Sequence, residues 1–283
     1  MNKTWLILDC NYLCHRARHS TGDLSYEGSP TGVIYGFLKS ISYFQERFDT
    51  PHVVFCWDSK TNKRYDIFPK YKANRKRSDD EFTEEQIEFE NAFRMQMVKL
   101  RRFYLKAIGY KNVFVQKGYE SDDIIASVCQ KLPHQDKAII ISSDKDLYQL
   151  IRDNISMHNP QKGTTVTLQS FRKEYGFLPH EWKMVKCLAG CSTDGVPGIP
   201  RVGEKTAIKY ILGNLKDTTK AFADIVSKKG MKIYKRNWKL VVLPMKGTKV
   251  FELQEDKISK KGWRKVTAAL GMKSIKDRPP IYK

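Results

Sequence analysis

Apolar positions along the chain follow two alternating patterns. Continuous apolar runs at 5–8, 53–57 and 138–141 read as strands covered on both faces, since such strands lose the in-out alternation of a half-exposed sheet. Further strands are expected at 111–116 and 155–158. Between them the spacing is helical: Val33, Phe37 and Ile41 form one stripe, and Ile124, Val128 and Leu132 another, opened by Ser121 as a predicted N-cap. Thr83-Glu84-Glu85-Gln86 has the form of a capping box. The helix it opens is expected to run to about residue 107 and to bury Ile87, Phe93, Leu100 and Tyr104. A short helix at 147–151, a turn at 161–163 and a helix at 179–188 follow. Strands alternating with helices predict an α/β chain with a mostly parallel central sheet.

Three of the apolar runs stop at an acid, with Asp9, Asp58 and Asp144 at or just past their ends. Open parallel sheets bind ligands at the carboxyl ends of their strands, which gives these positions chemical interest. A fourth acidic group is Gly118-Tyr119-Glu120-Ser121-Asp122-Asp123, at a predicted helix start. The helix dipole accounts for one or two carboxylates there but not for three. It says nothing of a second pair, Asp144 and Asp146. Carboxylates gathered at strand ends and helix starts point to a metal site, and the inference rests on the set rather than on any one acid.

Composition sharpens this picture. The 283 residues carry 51 Lys and Arg against 31 Asp and Glu, a formal charge of +20, which favours an anionic polymer as partner. From 59 to 80 bases such as Lys60, Lys63, Arg64, Lys70, Lys72, Arg75, Lys76 and Arg77 interleave with Tyr65, Phe68 and Tyr71 and no apolar stripe forms. Such a stretch suits a single-stranded or frayed nucleic acid, the bases meeting phosphates and the rings stacking; the bland alternative is a charged loop without a role. His15, Arg16 and Arg18 form a smaller basic group, equally compatible with a solvated face. The six cysteines lie mostly in apolar runs without a CxxC pair, and neither Cys10 with Cys14 and His15 nor Cys187 with Cys191 completes a zinc set. No run approaches a membrane span, and the N-terminal strand is too short for a signal core, so a soluble cytoplasmic protein is expected. Gly198 to Gly203 invites a P-loop reading, but Glu204 stands where Lys must follow Gly. A glycine-bearing turn between two helices, offering backbone amides to a phosphate backbone, fits better. Beyond about residue 218 the chain is Lys-rich, folded and without legible chemistry.

Six segments then share one resemblance: Leu8-Asp9-Cys10-Asn11-Tyr12-Leu13, Pro30-Thr31-Gly32-Val33-Ile34-Tyr35-Gly36, Tyr71-Lys72-Ala73-Asn74-Arg75, the 118–123 stretch, Ser143-Asp144-Lys145-Asp146-Leu147-Tyr148-Gln149-Leu150, and the run from Gly190 to Ala207. In that order, across about 4–215, they resemble the 5′ nuclease family of flap endonucleases, polymerase-linked 5′ to 3′ exonucleases and their free-standing bacterial and phage relatives. The resemblance implies a PIN-like α/β domain over 1–178, with an arch at about 59–107, and a helix-hairpin-helix-like duplex-binding region with a basic tail over 179–283. It implies two metal ions, Mg²⁺ with Mn²⁺ as substitute, held by Asp9, Asp58, Glu120, Asp122, Asp144, Asp146 and Asp194, with Asp123 in or near their shell. Lys72 and Arg75 would face the scissile phosphate, Tyr71 would stack on the terminal base and Arg64 would contact a phosphate. Gly198, Val202, Gly203, Lys205 and Thr206 would grip the duplex, with K⁺ at the 198–203 turn. Relatives commonly have Asp where Cys191 stands, and a thiol is a poor ligand for hard Mg²⁺.

The chemistry implied is phosphodiester hydrolysis, in which two divalent ions about 4 Å apart share the activation of water and the stabilisation of the leaving oxygen. DNA with a 5′ end or flap is the expected substrate and an RNA/DNA hybrid a further one, with a polymerase or single-strand-binding partner, a monomeric state and no membrane contact. Two rivals are weighed: a branched-DNA-binding protein with a degraded second metal site, supported by Cys191 alone, and a hydrolase of small phosphoesters, against which the basic aromatic segment speaks.

Overall fold

The two faces of the central strands are sorted by the period of two that a strand imposes. In the computed structural model, which describes residues 2–75 and 83–281, Leu6 and Leu8 of β1 (Thr4–Asp9) face one core while Trp5 and Ile7 face another. The first core is closed by α1 (Cys10–Thr21) and, after a small hairpin of β2 (Ser25–Tyr26) and β3 (Ser29–Pro30), by α2 (Gly32–Phe48), which runs a full two turns beyond the predicted Ile41. Thr31 caps α2 without a side-chain bond. The amides of Val33 and Ile34 instead donate to Oε1 of the buried Gln96, at 3.0 and 3.3 Å.

Next comes β4 (His52–Trp57), followed by a one-turn helix α3 (Arg64–Ile67). Lys76 and Arg77 of the basic segment lie outside the described residues. Thr83 and Gln86 form the expected capping box at the start of α4 (Glu84–Lys99), which passes through a π-helical turn at Leu100–Tyr104 into α5 (Leu105–Ile108). Phe93 and Leu100 are buried and Tyr104 half-buried as expected, but Ile87 is 42% exposed. That expectation is corrected because the start of α4 is not covered by the core: the helix first meets α1 at Phe89 and Glu90, through Arg18, and enters the apolar core only at Phe93.

The second core is closed by α6 (Ser121–Lys131), which follows β5 (Val113–Val115) and precedes β6 (Lys137–Ile141). Glu120, not Ser121, is the N-cap of α6. A 3-10 turn at Lys145–Leu150 takes the place of the predicted short helix, and β7 (Ile155–Asn159) with the antiparallel β8 (Thr164–Val166) completes the sheet. The order is β5-β4-β1-β6-β7-β8, parallel up to β7. From β1 the chain first builds outward through β4 to β5, then crosses to β6 on the other side of β1, so the strand order reverses beside β1 and opens a crevice at the carboxyl ends.

A helical unit follows: α7 (Leu168–Tyr175), α8 (Trp182–Ala189), a small hairpin of β9 (Gly190–Cys191) and β10 (Val196–Pro197), then α9 (Glu204–Ile211), α10 (Lys220–Val226) and α11 (Lys228–Val241). Phe171, Tyr175, Phe177 and Trp182 form its aromatic centre together with Tyr148. The hairpin is a place where glycine is required: a Cβ on Gly190, at φ +75°, would lie 2.4 Å from the Gly198 amide, and one on Gly198 would lie 2.2 Å from the Ala189 carbonyl.

The tail returns to the sheet unit. Asn112 exchanges two 2.8 Å hydrogen bonds with the Gln254 backbone, and α12 (Lys260–Ala269) inserts the fully buried Trp263 beside Ile108, its indole donating to the Ile275 carbonyl at 2.8 Å. No helix among the described residues is long and apolar enough to cross a membrane. Truncating Trp263 to Ala empties a core position far from the crevice. It should cost about 3–5 kcal/mol in urea unfolding, and a loss under about 1 kcal/mol would mean that the tail is only loosely attached.

Candidate active site

The crevice is a cleft of about 560 Å³ lined by Asp9, Asp58, Glu120, Asp122 and Asp144, with Lys72, Arg75, Lys145 and Lys186 among its bases. Each acid has a structural reason for its place. Asp9 ends β1 and caps α1, its Oδ1 accepting from the Tyr12 amide at 3.1 Å and its Oδ2 from Ser142 Oγ at 2.9 Å. Asp58 follows β4, and its Oδ1 accepts the Ser121 amide of α6 at 2.7 Å, while Asn11 Oδ1 receives the Asp58 amide at 3.0 Å. Asp144 caps the 3-10 turn by accepting the Asp146 amide at 2.8 Å. Glu120 and Asp122 enter from the start of α6, where unpaired amides favour anions.

This crowding shows in the proton affinities. Burial, aided by Asp58, pushes Asp9 up to about 7. Loss of solvation and then Asp146 push Asp144 up to about 6. Asp58 and Asp122 are raised as well, by burial first and by Glu120 and Asp144 respectively. Among the described residues these four carboxylates make no ion pair, and the more distant ammonium groups of Lys72 and Lys186 only partly offset their repulsion. Hard oxygen donors with excess negative charge are what a divalent cation such as Mg²⁺ or Mn²⁺ requires.

The neighbouring acids are in a different state. Asp146 and Asp194 stand with Cys191 so that one ligand atom from each lies within 4.8 Å of the others. Lys186 of α8 places its ammonium 2.7 Å from Asp146 Oδ1, and Arg75 donates to Asp194 Oδ1 at 2.6 Å. Lys72 pairs with Glu120 and lies 3.8 Å from Asp194. Burial alone would lower its pKa, but those two carboxylates more than offset this and hold the ammonium charged.

Three expectations are corrected here. Asp123 is fully buried and points away from the cleft, where it receives both Nη atoms of Arg64 at 2.7 and 2.9 Å and the Met245 amide at 2.9 Å. Arg64, 2% exposed, is thereby held inside and is not available to a phosphate. Tyr71 is 3% exposed, with its hydroxyl 2.8 Å from both Glu120 and Asp194, so its ring is closed to stacking. Of the turn residues, Val202 is buried in the helical unit, Gly203 caps α9, Lys205 is exposed and Thr206 half-buried. Lys186 and Ser142 were not singled out from the sequence. A lysine on an amphipathic helix and a serine after a strand carry no local signal, and only the fold brings them to the acids.

With this geometry in view, a family model described as "5'-3' exonuclease, N-terminal resolvase-like domain" matches residues 4–176. The chain belongs to the 5′-3′ exonuclease family. A 5′-3′ exonuclease of Buchnera aphidicola is 33% identical over 81% of this chain and 72% of its own length, and that of Bacillus subtilis 33% over 74% and 70%. The thermostable DNA polymerase I of Thermus aquaticus is 32% identical over 73% of this chain, which spans 23% of that polymerase. Among solved structures, T5 5′-exonuclease with bound zinc superposes with a TM-score of 0.72 at 20% identity, covering 86% of this chain and 90% of that one. The catalytic core of Rad2 in complex with DNA substrate gives 0.57 at 15% identity, covering 98% and 90%. The family carries nuclease activity, and this exonuclease fold places its acids in the cleft.

Two tests follow from the electrostatics. The raised pKa values mean that the folded chain holds protons at Asp9 and Asp144 more tightly than the unfolded chain does. The stability they contribute is therefore complete below about pH 4 and is lost as pH rises through about 6 and 7. With divalent metal chelated, the melting temperature should fall between about pH 5 and pH 8. It should fall less in Asp9→Asn, and equal slopes in the two proteins would refute the assignment. Asp123→Asn removes the bidentate charge partner of the buried Arg64, leaving it only the more distant Glu120 Oε2 at 3.3 Å, and should cost roughly 1–3 kcal/mol in urea unfolding. A stable variant that fails only in cleavage would return Asp123 to the cleft.

Proposed function

We propose that this nuclease hydrolyses phosphodiester bonds at 5′ ends or flaps of DNA in a divalent-metal-dependent, structure-specific manner. The observation that carries the reading is the set Asp9, Asp58 and Asp144 at the carboxyl ends of adjacent strands with Asp122 at the start of α6, none of them in an ion pair among the described residues, in a cleft also lined by Lys72 and Arg75. Mg²⁺ is the proposed cation, with Mn²⁺ able to replace it, and Asp9, Asp58, Glu120, Asp122 and Asp144 are its proposed holders. The chemistry such a cation supplies is the activation of water and the stabilisation of charge on the phosphodiester. The protein's own groups do the rest. Ser142 and Ser121 orient the carboxylates of Asp9 and Asp58, and the π-helical turn lets Arg101 reach the Asp58 carbonyl at 3.5 Å. Lys72 and Arg75 exchange Glu120 and Asp194 for the phosphate, which sets the substrate over the acids and stabilises its developing charge.

Duplex binding is assigned to the turn from Gly198 to Gly203 and to Lys205 and Thr206 at the start of α9, in a helix-hairpin-helix-like arrangement with K⁺ as a possible ligand of the turn. The net charge of +20 supports a salt-sensitive grip on DNA. A T5 flap endonuclease solved with DNA and human GEN1 solved with Holliday junction DNA support a branched or flapped duplex as the substrate class, and the match of this chain to 23% of a DNA polymerase I supports a polymerase as working partner. An RNA/DNA hybrid is a further substrate, and the protein acts as a monomer in the cytoplasm.

The reading is tested with a 5′-labelled flap at low salt. With Mg²⁺ the wild type should release short 5′ products, whereas EDTA should abolish cleavage and Asp144→Ala should lower it at least about 100-fold while flap binding survives. Tight flap binding with no cleavage in Mg²⁺ or Mn²⁺ would favour the branched-DNA-binding reading instead.

A further inference from the structure

The acids of the cleft divide into two groups that differ in charge compensation. Among the described residues Asp9, Asp58, Asp122 and Asp144 make no ion pair, whereas Asp146 is paired with Lys186 and Asp194 with Arg75. The second group is also the poorer donor set for a hard dication. Its third member is Cys191, a soft sulfur donor where a hard dication requires oxygen. Lys186 is not a passing surface contact. Its side chain is 13% exposed, it rises from the middle of α8, and its ammonium lies 2.7 Å from the buried Asp146 Oδ1, which has no other partner among the described residues.

The hairpin that carries Cys191 and Asp194 is itself held rigidly against α8. Asn237 of α11, fully buried, donates to the carbonyls of Cys187 and Pro197 at 3.0 and 3.1 Å, and Arg236 donates to Pro197 at 2.7 Å. The backbone that carries Cys191 and Asp194 is therefore fixed relative to α8, from which Lys186 rises. A dication entering between Asp146 and Asp194 would be forced against the Lys186 charge, or would have to expel it from a nearly closed site, and either course is costly.

Resting on the metal-dependent reading above, we propose that this protein binds a single catalytic divalent cation, and that the Lys186 ammonium, held by Asp146, stands in the second cation position as a permanent part of the chain. Lys186 lines the same cleft as Asp144 and Lys72, so its charge bears on whatever anion enters there. The departure at Cys191 then has a physical explanation, because with a built-in cation a third carboxylate at that corner is not needed. The cluster could alternatively serve a softer metal through a Cys191 thiolate, and the test distinguishes the two.

The test counts metal rather than activity. Mn²⁺ titrated into the full-length protein without DNA, and followed by electron paramagnetic resonance, should show one tightly bound ion per chain. The double variant Lys186→Met with Cys191→Asp, checked for native circular dichroism and melting, should bind two. Two tight ions in the wild type, or one in the double variant, overturns the proposal. If the double variant misfolds, Lys186→Met alone serves, and it should gain a second, weaker ion whose absence likewise counts against the idea. Cd²⁺ giving a thiolate charge-transfer band in the wild type overturns it in favour of a soft-metal site. A wild type that binds no Mn²⁺ removes the metal-dependent reading itself, whereas loss of the proposal alone leaves flap cleavage in Mg²⁺ intact.

Discussion

The buried fork between Arg64 and Asp123 is the interaction on which the site depends. It joins three parts of the chain that are remote in sequence: the segment after β4, the start of α6, and the 240–245 stretch, where Arg64 also donates to the Leu240 carbonyl at 2.8 Å and Asp123 accepts the Met245 amide. A buried ion pair is not in itself evidence of stability, because both charges lose their hydration. A fully bonded bidentate pair, however, tolerates very little displacement. Its consequence is geometric. With Asp123 anchored inward, Asp122 is turned by one helical step, about 100°, toward the cleft, and Glu120 is carried to the mouth with Tyr71 and Lys72 upon it.

The cleft is a strained electrostatic arrangement maintained by such anchors. Four carboxylates of raised proton affinity share a small volume because the backbone gives them no alternative. Strand ends fix Asp9, Asp58 and Asp144, and amides and hydroxyls from Ser121, Ser142 and Asp146 tie them down. The fold's packing energy, from two apolar layers on either face of the sheet, offsets this repulsion in the absence of a cation.

Strand-end acids were readable because a run such as Val53 to Trp57 announces both a buried strand and the edge at which it stops. The acids after Gly118 were readable as a group, but not which of them faces the cleft. Adjacent positions on a helix point in directions about 100° apart, and the direction of Asp123 is decided by Arg64, fifty-nine residues away. The same limit explains Arg64 and Tyr71. A basic aromatic segment reads as solvent-facing and ligand-seeking, yet Tyr65, Phe68 and Tyr71 pack on Cys187, Cys191 and Leu240 of the helical unit. Trp263 is the extreme case, since nothing local tells that a Lys-rich tail returns to close the core of a sheet begun at residue 4. Ile87 failed for the opposite reason, because helical periodicity marks a face without saying whether another element covers it.

Charge then links the exterior to the interior. A chain of net charge +20 draws a polyanion toward it, but the last few ångströms lead to a concentration of carboxylates that repels the same phosphate. The structure resolves this conflict with two kinds of positive charge. Lys72 and Arg75 are mounted at the rim, where Arg75 is half-exposed and either base can exchange a carboxylate for a phosphate oxygen. Lys186 comes from the rigid side of the cleft, is almost wholly covered, and is tied to an acid that hydrogen-bonds to nothing else through that oxygen. The positive charge around the acids is therefore supplied partly by rim bases and partly by one nearly buried ammonium.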